Sequence, residues 1–232
     1  MEGEFTRRGF VGAAAAAVAA GMAASGASAQ EGEGKRIKII GVCCSPRKDK
    51  TTAASLRVCL KAAQEVSPRI EVELIELAGM KIPGEAAAGI PLDPGEKDDF
   101  PALVPKLSDP QVGGIIVGTP VYMANMTALC KSFLDRCMVF RKNNFALRNK
   151  VGGVLAVGGA RNGGQEIAIQ TVQAALLCQD MVIVGDGKPT ARIGATVWNT
   201  GNDDVSQDEF GMTTAKNLGR RVAELALCLA GN

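Results

Sequence analysis

Short apolar runs rich in β-branched residues recur along the chain and predict buried strands. They lie at residues 37–42, 70–76, 112–118, 150–157 and 181–184. The run at 70–76 alternates apolar and charged side chains, as a strand with one covered face does. The other runs are nearly continuous, which favours strands that are covered on both faces.

Longer segments with one apolar face separate these strands and predict helices. They lie at residues 53–66, 98–109, 127–141, 165–178 and 208–230. The segment at 98–109 is an imperfect helix, because Pro101 suits a first turn but Pro105 does not suit a helix interior. The Gly- and Pro-rich stretch at 78–94 is long enough to be a functional loop.

Strands and helices alternate through most of the chain, which favours a parallel sheet with helices on both faces. Five strands in the order 2-1-3-4-5 give the flavodoxin-like, doubly wound α/β fold, whose ligands bind at the carboxyl ends of the strands. Three polar or Gly-rich loops follow strands at that edge, at residues 45–52, 119–126 and 158–166. The sequence indicates no internal repeat and no second domain.

The first of these loops joins a strand to a helix, and such a junction can bind phosphate through its backbone N–H groups. Ser45, Thr51 and Thr52 add hydroxyl donors, and Arg47 adds a guanidinium that matches phosphate oxygens. The alternative is an ordinary turn before a helix that Thr51 or Thr52 caps. This loop alone does not distinguish the two interpretations, so the later loops decide between them.

The N-terminus has the features of an export signal. Twin arginines at 7–8 precede an Ala-rich apolar segment at 11–24 and an A-x-A cleavage motif at 27–29. The apolar segment is too short for a good membrane span and lacks the polar face of a surface helix. We therefore predict a twin-arginine signal peptide at 1–29, export to the periplasm, no stable membrane span, and one mature domain at 30–232.

Composition removes several classes of function. The 232 residues include no histidine, which excludes histidine-based triads, histidine-ligated metals and imidazole proton shuttles. The net charge is only +2, without a basic stripe interleaved with aromatic residues, so we predict no nucleic-acid partner. None of the cysteines forms a C-x-x-C pair, so neither a zinc site nor a thioredoxin-type motif is indicated.

The cysteines divide into two groups. Two of them, Cys43 and Cys44, lie at the start of the first loop. Their small side chains would let a ligand approach the backbone there, and the alternative is that one of them is a reactive thiol. The others fall on predicted helices, where we expect small buried side chains. They are Cys59, Cys130, Cys137, Cys178 and Cys228.

Three segments of the chain stand out: CCSPRKDKTT at 43–52, GTPVYMANMTALCKSFLDR at 118–136 and GGARNGGQE at 158–166. Together they resemble the NAD(P)H-dependent FMN reductase family, in particular its flavodoxin-like iron–sulfur flavoprotein branch. The resemblance covers essentially the whole mature chain. It implies a bound FMN, with NAD(P)H as a possible electron donor.

The resemblance also implies which residues bind FMN. The phosphate would be held in the first loop, the ribityl chain and isoalloxazine would lie along the second, and the pyrimidine end of the ring would meet the third. The first loop supplies Ser45, Arg47, Lys48, Thr51 and Thr52. The second supplies Thr119, Pro120, Val121, Tyr122, Met123, Ala124 and Asn125. The third supplies Gly159, Arg161, Asn162, Gly163 and Gly164.

Two of these side chains have simpler alternatives. Tyr122 is the only tyrosine and is expected to stack beside the flavin, the alternative being an ordinary packed aromatic. Arg161 could instead be a solvated loop charge. The lone Trp198 either covers the flavin or packs at a subunit interface, and the sequence leaves both open.

One departure from the family pattern concerns iron. The iron–sulfur branch carries closely spaced cysteines between the second strand and the next helix, and residues 80–99 of this chain contain none. A [4Fe–4S] cluster needs four thiolate ligands. We therefore predict no iron–sulfur cluster and no metal site.

The resulting expectation is an exported FMN-dependent oxidoreductase in which the flavin carries the chemistry and no side chain is a catalytic residue. Its partner would be a quinone-like acceptor or a redox protein, since NAD(P)H is not expected outside the cytoplasm. The resemblance implies a homodimer or homotetramer, in which residues 78–97 and 198–208 could reach the neighbouring subunit. The alternatives are a non-catalytic flavodoxin-type electron carrier or flavin-binding module, and a related fold that has lost its ligand.

Overall fold

A computed structural model describes residues 34–231, which form a parallel β-sheet with helices on both faces. The strands are β1 (Ile37–Cys43), β2 (Ile70–Glu76), β3 (Val112–Pro120), β4 (Val151–Gly158), β5 (Val182–Ile183) and β6 (Ala195–Trp198). The helices are α1 (Thr51–Gln64), α2 (Val104–Ser108), α3 (Ala128–Arg136), α4 (Met138–Lys142), α5 (Gln165–Leu177) and α6 (Glu209–Ala230). The predicted signal peptide at 1–29 lies outside the described residues.

The strand order is β2-β1-β3-β4-β5, and every pairing along it is parallel. This confirms the predicted doubly wound order. The continuous apolar runs of β1, β3 and β4 are buried because helices cover both of their faces. β2 lies at one edge of the sheet, and its alternating sequence fits that place.

The two faces of the sheet carry separate hydrophobic cores. On one face, α1 and α6 pack together, with Leu56 and Leu218 fully buried. The helices approach closely at Gly219, where a Cβ atom would overlap the carbonyl of Cys59. On the other face, Phe100 and Phe140 anchor the core formed with α3 and α5.

The fifth strand position differs from the prediction. The run at 181–184 gives only the two-residue strand β5, which pairs with the start of β4. The sequence analysis missed β6, which pairs in parallel with the end of β4, from Leu155 to Gly158. β6 spans only four residues, which are too few to show a strand period in the sequence.

Two predicted helices are also broken. The segment at 98–109 becomes a 3₁₀ turn (Phe100–Leu103) followed by the short helix α2, and each piece has a proline in its first turn. The segment at 127–141 begins with Thr127 as its N-cap and divides into α3 and α4. No helix in the described part of the chain is both long and apolar enough to cross a membrane.

The prediction of buried helical cysteines holds for Cys59, Cys130 and Cys137 but is wrong for Cys178 and Cys228, which are exposed. Both exposed cysteines lie near helix C-termini, at the end of α5 and in the last turn of α6. Apolar neighbours in sequence were a poor guide there because these positions face away from the sheet.

Candidate functional site

The carboxyl ends of β1, β3 and β4 bring the three predicted loops to one edge of the sheet. Thr127 joins the first two, since its hydroxyl donates to the Cys44 carbonyl at 2.8 Å and its N–H donates to the Thr119 hydroxyl at 3.2 Å. The second and third loops touch, because a methyl group on Gly164 would lie 2.8 Å from the Ala124 Cα. The sequence analysis did not single out Thr127.

The first loop ends in a helix terminus that no side chain caps. Lys50 is the N-cap residue of α1 and makes no side-chain capping bond, so the interpretation with Thr51 or Thr52 as cap is wrong. Both threonines are buried in the first turn of the helix. The N–H groups of a first helical turn have no partner within the helix, and an anion can accept from them.

Before the helix, the loop is closed on itself by Ser45. Its buried hydroxyl donates to the Arg47 carbonyl and accepts from the Arg47 N–H, each at 3.1 Å. Lys48 is exposed in the same loop. The Arg47 guanidinium contacts Asp203, which comes from the loop after β6, at 2.7 Å. The loop therefore gathers cations and uncapped N–H groups at one place.

The second loop has a rigid, exposed tip. Tyr122 and Asn125 exchange backbone hydrogen bonds of 2.9 and 3.0 Å, and the two residues between them have positive φ, 49° at Met123 and 57° at Ala124. Tyr122 is 50% exposed and Met123 is 99% exposed. Tyr122 is thus not a packed core aromatic, and the tip presents an apolar surface to incoming molecules.

The third loop is organised by a side chain that the sequence analysis did not single out. Gln165 is fully buried and accepts from the Gly163 N–H at 2.9 Å through its oxygen. Its Nε2 donates to the carbonyls of Ala160 at 2.6 Å and Val197 at 3.3 Å. The only signal in the sequence is a lone glutamine directly after the Gly-Gly pair, which is too weak to interpret.

Gly159 leaves an open surface in this loop, since no atom lies within 4 Å of the position that its Cβ would take. Asn162 is exposed in the same loop. A flat ring could approach the backbone here because no side chain intervenes. This open surface and the uncapped start of α1 fit a nucleotide with a planar ring and a phosphate.

Arg161 is not a solvated loop charge. Its guanidinium forms an ion pair with the buried Asp208 and lies over Trp198 and Phe210, with distances to the ring centroids of 5.6 and 5.9 Å. Asp208 caps α6 through Gly211 and accepts from the Trp198 N–H at 2.7 Å. Within residues 34–231, the buried Nη1 atom of Arg161 has no hydrogen-bond partner.

The cysteines beside the first loop are buried and weakly acidic. Burial raises the pKa of the Cys43 thiol to about 11. Burial, together with the neighbouring Cys130, raises the pKa of the Cys44 thiol well above its ordinary value. Both thiols are therefore protonated at neutral pH, which argues against a reactive thiolate.

An iron–sulfur cluster does not fit the described residues. Among them, no group of three or more cysteines and carboxylates lies close enough to bind a metal ion. Residues 80–99 are held instead by Arg136, which donates to both carboxylate oxygens of Asp98, at 3.0 and 2.6 Å, and to the Pro83 carbonyl at 3.1 Å. Arg136 also lies 4.8 Å from the centroid of the Phe100 ring.

The sheet order and the three loops at its carboxyl edge define a flavodoxin-like protein with a candidate nucleotide site. The chain belongs to the NADPH-dependent FMN reductase family, whose model matches residues 37–195. It is therefore an FMN-dependent oxidoreductase, as the sequence analysis predicted.

Relatives and solved structures agree with this placement. An iron–sulfur flavoprotein of Methanocaldococcus jannaschii is 38% identical over 192 residues, which cover 82% of this chain and 97% of the relative. An NAD(P)H dehydrogenase (quinone) of Chromohalobacter salexigens is 30% identical over 180 residues, covering 69% and 84%.

Among solved structures, RosB with a bound riboflavin-5'-phosphate derivative has a TM-score of 0.65 at 16% identity, covering 84% of this chain and 81% of RosB. An apo NADH:FMN oxidoreductase has a TM-score of 0.56 at 21% identity, covering 83% of this chain and 89% of that protein. These likenesses support the flavodoxin-like fold.

The structure thus brings the predicted residues to one edge of the sheet and adds others to them. The added residues are Thr127, which ties two loops; Gln165, which shapes the third; Asp208, which holds Arg161; and Asp203, which contacts Arg47. That the predicted residues bind FMN remains a prediction.

Proposed function

We propose that this protein passes electrons through FMN, held by the three loops, to a quinone-class acceptor outside the cytoplasm. The observation that carries the proposal is the open backbone surface at Gly159, on the same sheet edge as the uncapped start of α1. When bound, FMN supplies the hydride and single-electron chemistry. The protein's own groups bind it, orient it and shape access to it.

The residues of each loop have distinct proposed roles. The N–H groups at the start of α1, with Arg47 and Lys48, bind the phosphate, and Ser45 fixes the loop that presents them. The backbone of 119–125 lies along the ribityl chain and ring. The N–H groups of the glycine-rich loop after β4 lie at the pyrimidine end, where they would stabilise negative charge on a reduced ring.

Two observations support a quinone as the electron acceptor: the exposed side chains of the second loop and the name of one relative. Tyr122 and Met123 give an exposed apolar rim beside the ring position, which suits an uncharged aromatic acceptor. A relative at 30% identity is named an NAD(P)H dehydrogenase (quinone). We propose a quinone as the acceptor, and a donor other than NAD(P)H if export through the predicted twin-arginine signal holds.

A kinetic experiment tests the activity. Mature protein reconstituted with FMN is mixed with NADPH, NADH or a low-potential artificial donor such as reduced methyl viologen, bleaching of the flavin is followed by stopped flow, and turnover with a short-chain benzoquinone is measured. We expect quinone turnover with the artificial donor and slow bleaching by either nicotinamide. Tight FMN binding without turnover would favour a carrier, and a protein that stays colourless with FMN would contradict the proposal.

A substitution at Gly159 tests the site itself. Because the space beside Gly159 is empty, Gly159→Leu is expected to leave the fold intact and to place a side chain where the ring would lie. We expect FMN affinity to fall by at least about tenfold, the effect of losing on the order of 1.4 kcal/mol. Gly159→Ala is the graded control and should lose less. Unchanged affinity in the leucine variant would place the ring elsewhere.

Export is tested separately from activity. Replacing both arginines at 7–8 by lysine should retain the protein in the cytoplasm, since the twin-arginine pathway reads that pair. Appearance of the unchanged amount in the periplasm would contradict the proposed route. A homodimer or homotetramer is proposed as well, to be measured by light scattering.

A further inference from the structure

A carboxylate stands among the cations of the first loop. Residues 200–204 form a tight turn, in which the Asp204 N–H donates to the Gly201 carbonyl at 3.0 Å and the Thr200 N–H donates to the Asp204 carbonyl at 3.1 Å. Asn202 and Asp203, at the tip, have φ values of 52° and 55°. Asparagine and aspartate tolerate this left-handed conformation better than most residues, so the turn holds the Asp203 side chain in place.

The Asp203 carboxylate bridges two basic side chains at the start of α1. One oxygen lies 2.7 Å from Arg47 Nη1 and the other 3.2 Å from Lys50 Nζ. Neither basic side chain has another ion-pair partner within the described residues. Hydrogen bonds from Arg47 and then Lys50 lower the pKa of Asp203, so the carboxylate is charged at neutral pH.

An anion from the protein therefore occupies the place where a ligand anion is expected. Arg47 comes from the loop after β1, Lys50 occupies the N-cap position of α1 without capping it, and Asp203 comes from the loop after β6, about 150 residues further along the chain. A phosphate drawn to the uncapped start of α1 would meet the same two cations and would be repelled by the carboxylate between them.

We propose that Asp203 competes with the FMN phosphate for Arg47 and Lys50 and thereby sets the affinity of the protein for its cofactor. The inference rests on the proposed FMN site. The carboxylate keeps the two basic side chains paired before the cofactor arrives, and it must give them up, at least in part, when the phosphate binds. The resulting loss of affinity applies to FMN and not to riboflavin, because riboflavin has no phosphate to compete for Arg47 and Lys50.

The test compares Asp203→Asn with the wild type in FMN and riboflavin titrations, followed by flavin fluorescence. Asparagine removes the charge and tolerates the positive φ, so the turn is retained. We expect the FMN dissociation constant to fall about three- to tenfold, as for removal of a partly solvated like charge, and the riboflavin constant to stay within about twofold.

Glu71→Gln is the matched control. It removes one negative charge and one exposed ion pair, with Arg36. Glu71 lies near the amino end of β2, away from the carboxyl ends of the strands that carry the site. Its FMN affinity should equal that of the wild type, which excludes an effect of net charge. Asp203→Gly is a second variant that accepts positive φ, and it should tighten FMN binding as well. Thermal unfolding of each variant checks the fold.

Each remaining outcome overturns the inference in a recognisable way. If the wild type binds FMN and Asp203→Asn binds it equally or more weakly, Asp203 is not a competitor, while the proposed function stands. If Asp203→Asn tightens FMN and riboflavin alike, the carboxylate acts by bulk and not by charge. If the wild type binds neither flavin, the proposed function fails and this inference fails with it.

Discussion

At the scale of single residues, the candidate site depends on buried side chains that hold the loop backbone in place through hydrogen bonds. Gln165 makes three hydrogen bonds from a fully buried position and fixes the glycine-rich loop against the end of β6. Its role is invisible in the sequence, because one glutamine after two glycines has no characteristic pattern. The role of Arg161 is also invisible in the sequence, since only the tertiary structure shows its ion pair with the distant Asp208.

We predict that Gln165→Leu destabilises the protein by about 1–3 kcal/mol, because it removes three hydrogen bonds, one of them to the buried Val197 carbonyl, and releases the loop at Gly163 and Ala160. Urea unfolding followed by circular dichroism measures the change. Gln170→Leu, at an exposed position of the same helix, is the control and should change stability by less than about 0.5 kcal/mol. Equal effects of the two substitutions would show that the third loop is not held by this carboxamide.

At the scale of elements, the segment between β2 and α2 is anchored by an ion pair. Asp98 and Arg136 are both largely buried, and Arg136 also binds the Pro83 carbonyl, so one side chain of α3 secures both ends of residues 83–98. Burial raises the pKa of Asp98, but the hydrogen bonds from Arg136 and from the Phe100 N–H, together with the Arg136 charge, lower that pKa below its ordinary value.

We predict that Asp98→Asn costs about 1–3 kcal/mol at pH 7, because it leaves the Arg136 charge unpaired in a mostly buried place. A lowered folded-state pKa gives stability that is present above the unfolded value and is lost as pH falls through the folded value. The difference between wild type and variant should therefore shrink in acid, which urea unfolding at pH 7 and pH 3 measures. Asp135→Asn, in an exposed pair on the same helix, is the control. A difference that does not depend on pH would contradict an ionic origin.

At the scale of the whole molecule, this chain retains the flavodoxin-like sheet while differing from relatives that are named iron–sulfur flavoproteins. Five of its cysteines are buried in the cores beside the sheet, with Cys44 next to Cys130, and two are exposed near the ends of α5 and α6. A cluster needs four thiolates converging on one point, which these positions do not offer.

We predict that protein purified without oxygen contains FMN but less than stoichiometric iron and acid-labile sulfide. Iron and sulfide assays and the visible spectrum measure this directly. The Methanocaldococcus jannaschii relative named an iron–sulfur flavoprotein, prepared in parallel, controls for loss of iron and sulfide during purification. Stoichiometric iron and sulfide in this chain would contradict the prediction.

The sequence by itself determined the sheet order, the positions of the main helices and the three loops at one edge, because periodicity and the handedness of parallel connections leave few other arrangements. It did not determine the divided fifth strand, whose two pieces are too short to show a period. Contacts between distant residues, such as Asp203 with Arg47 and Lys50 or Asp208 with Arg161, were decided only by the tertiary structure. The reason is physical: a local pattern records which face of an element is buried, whereas a partner 50 or 150 residues away leaves no trace in that pattern.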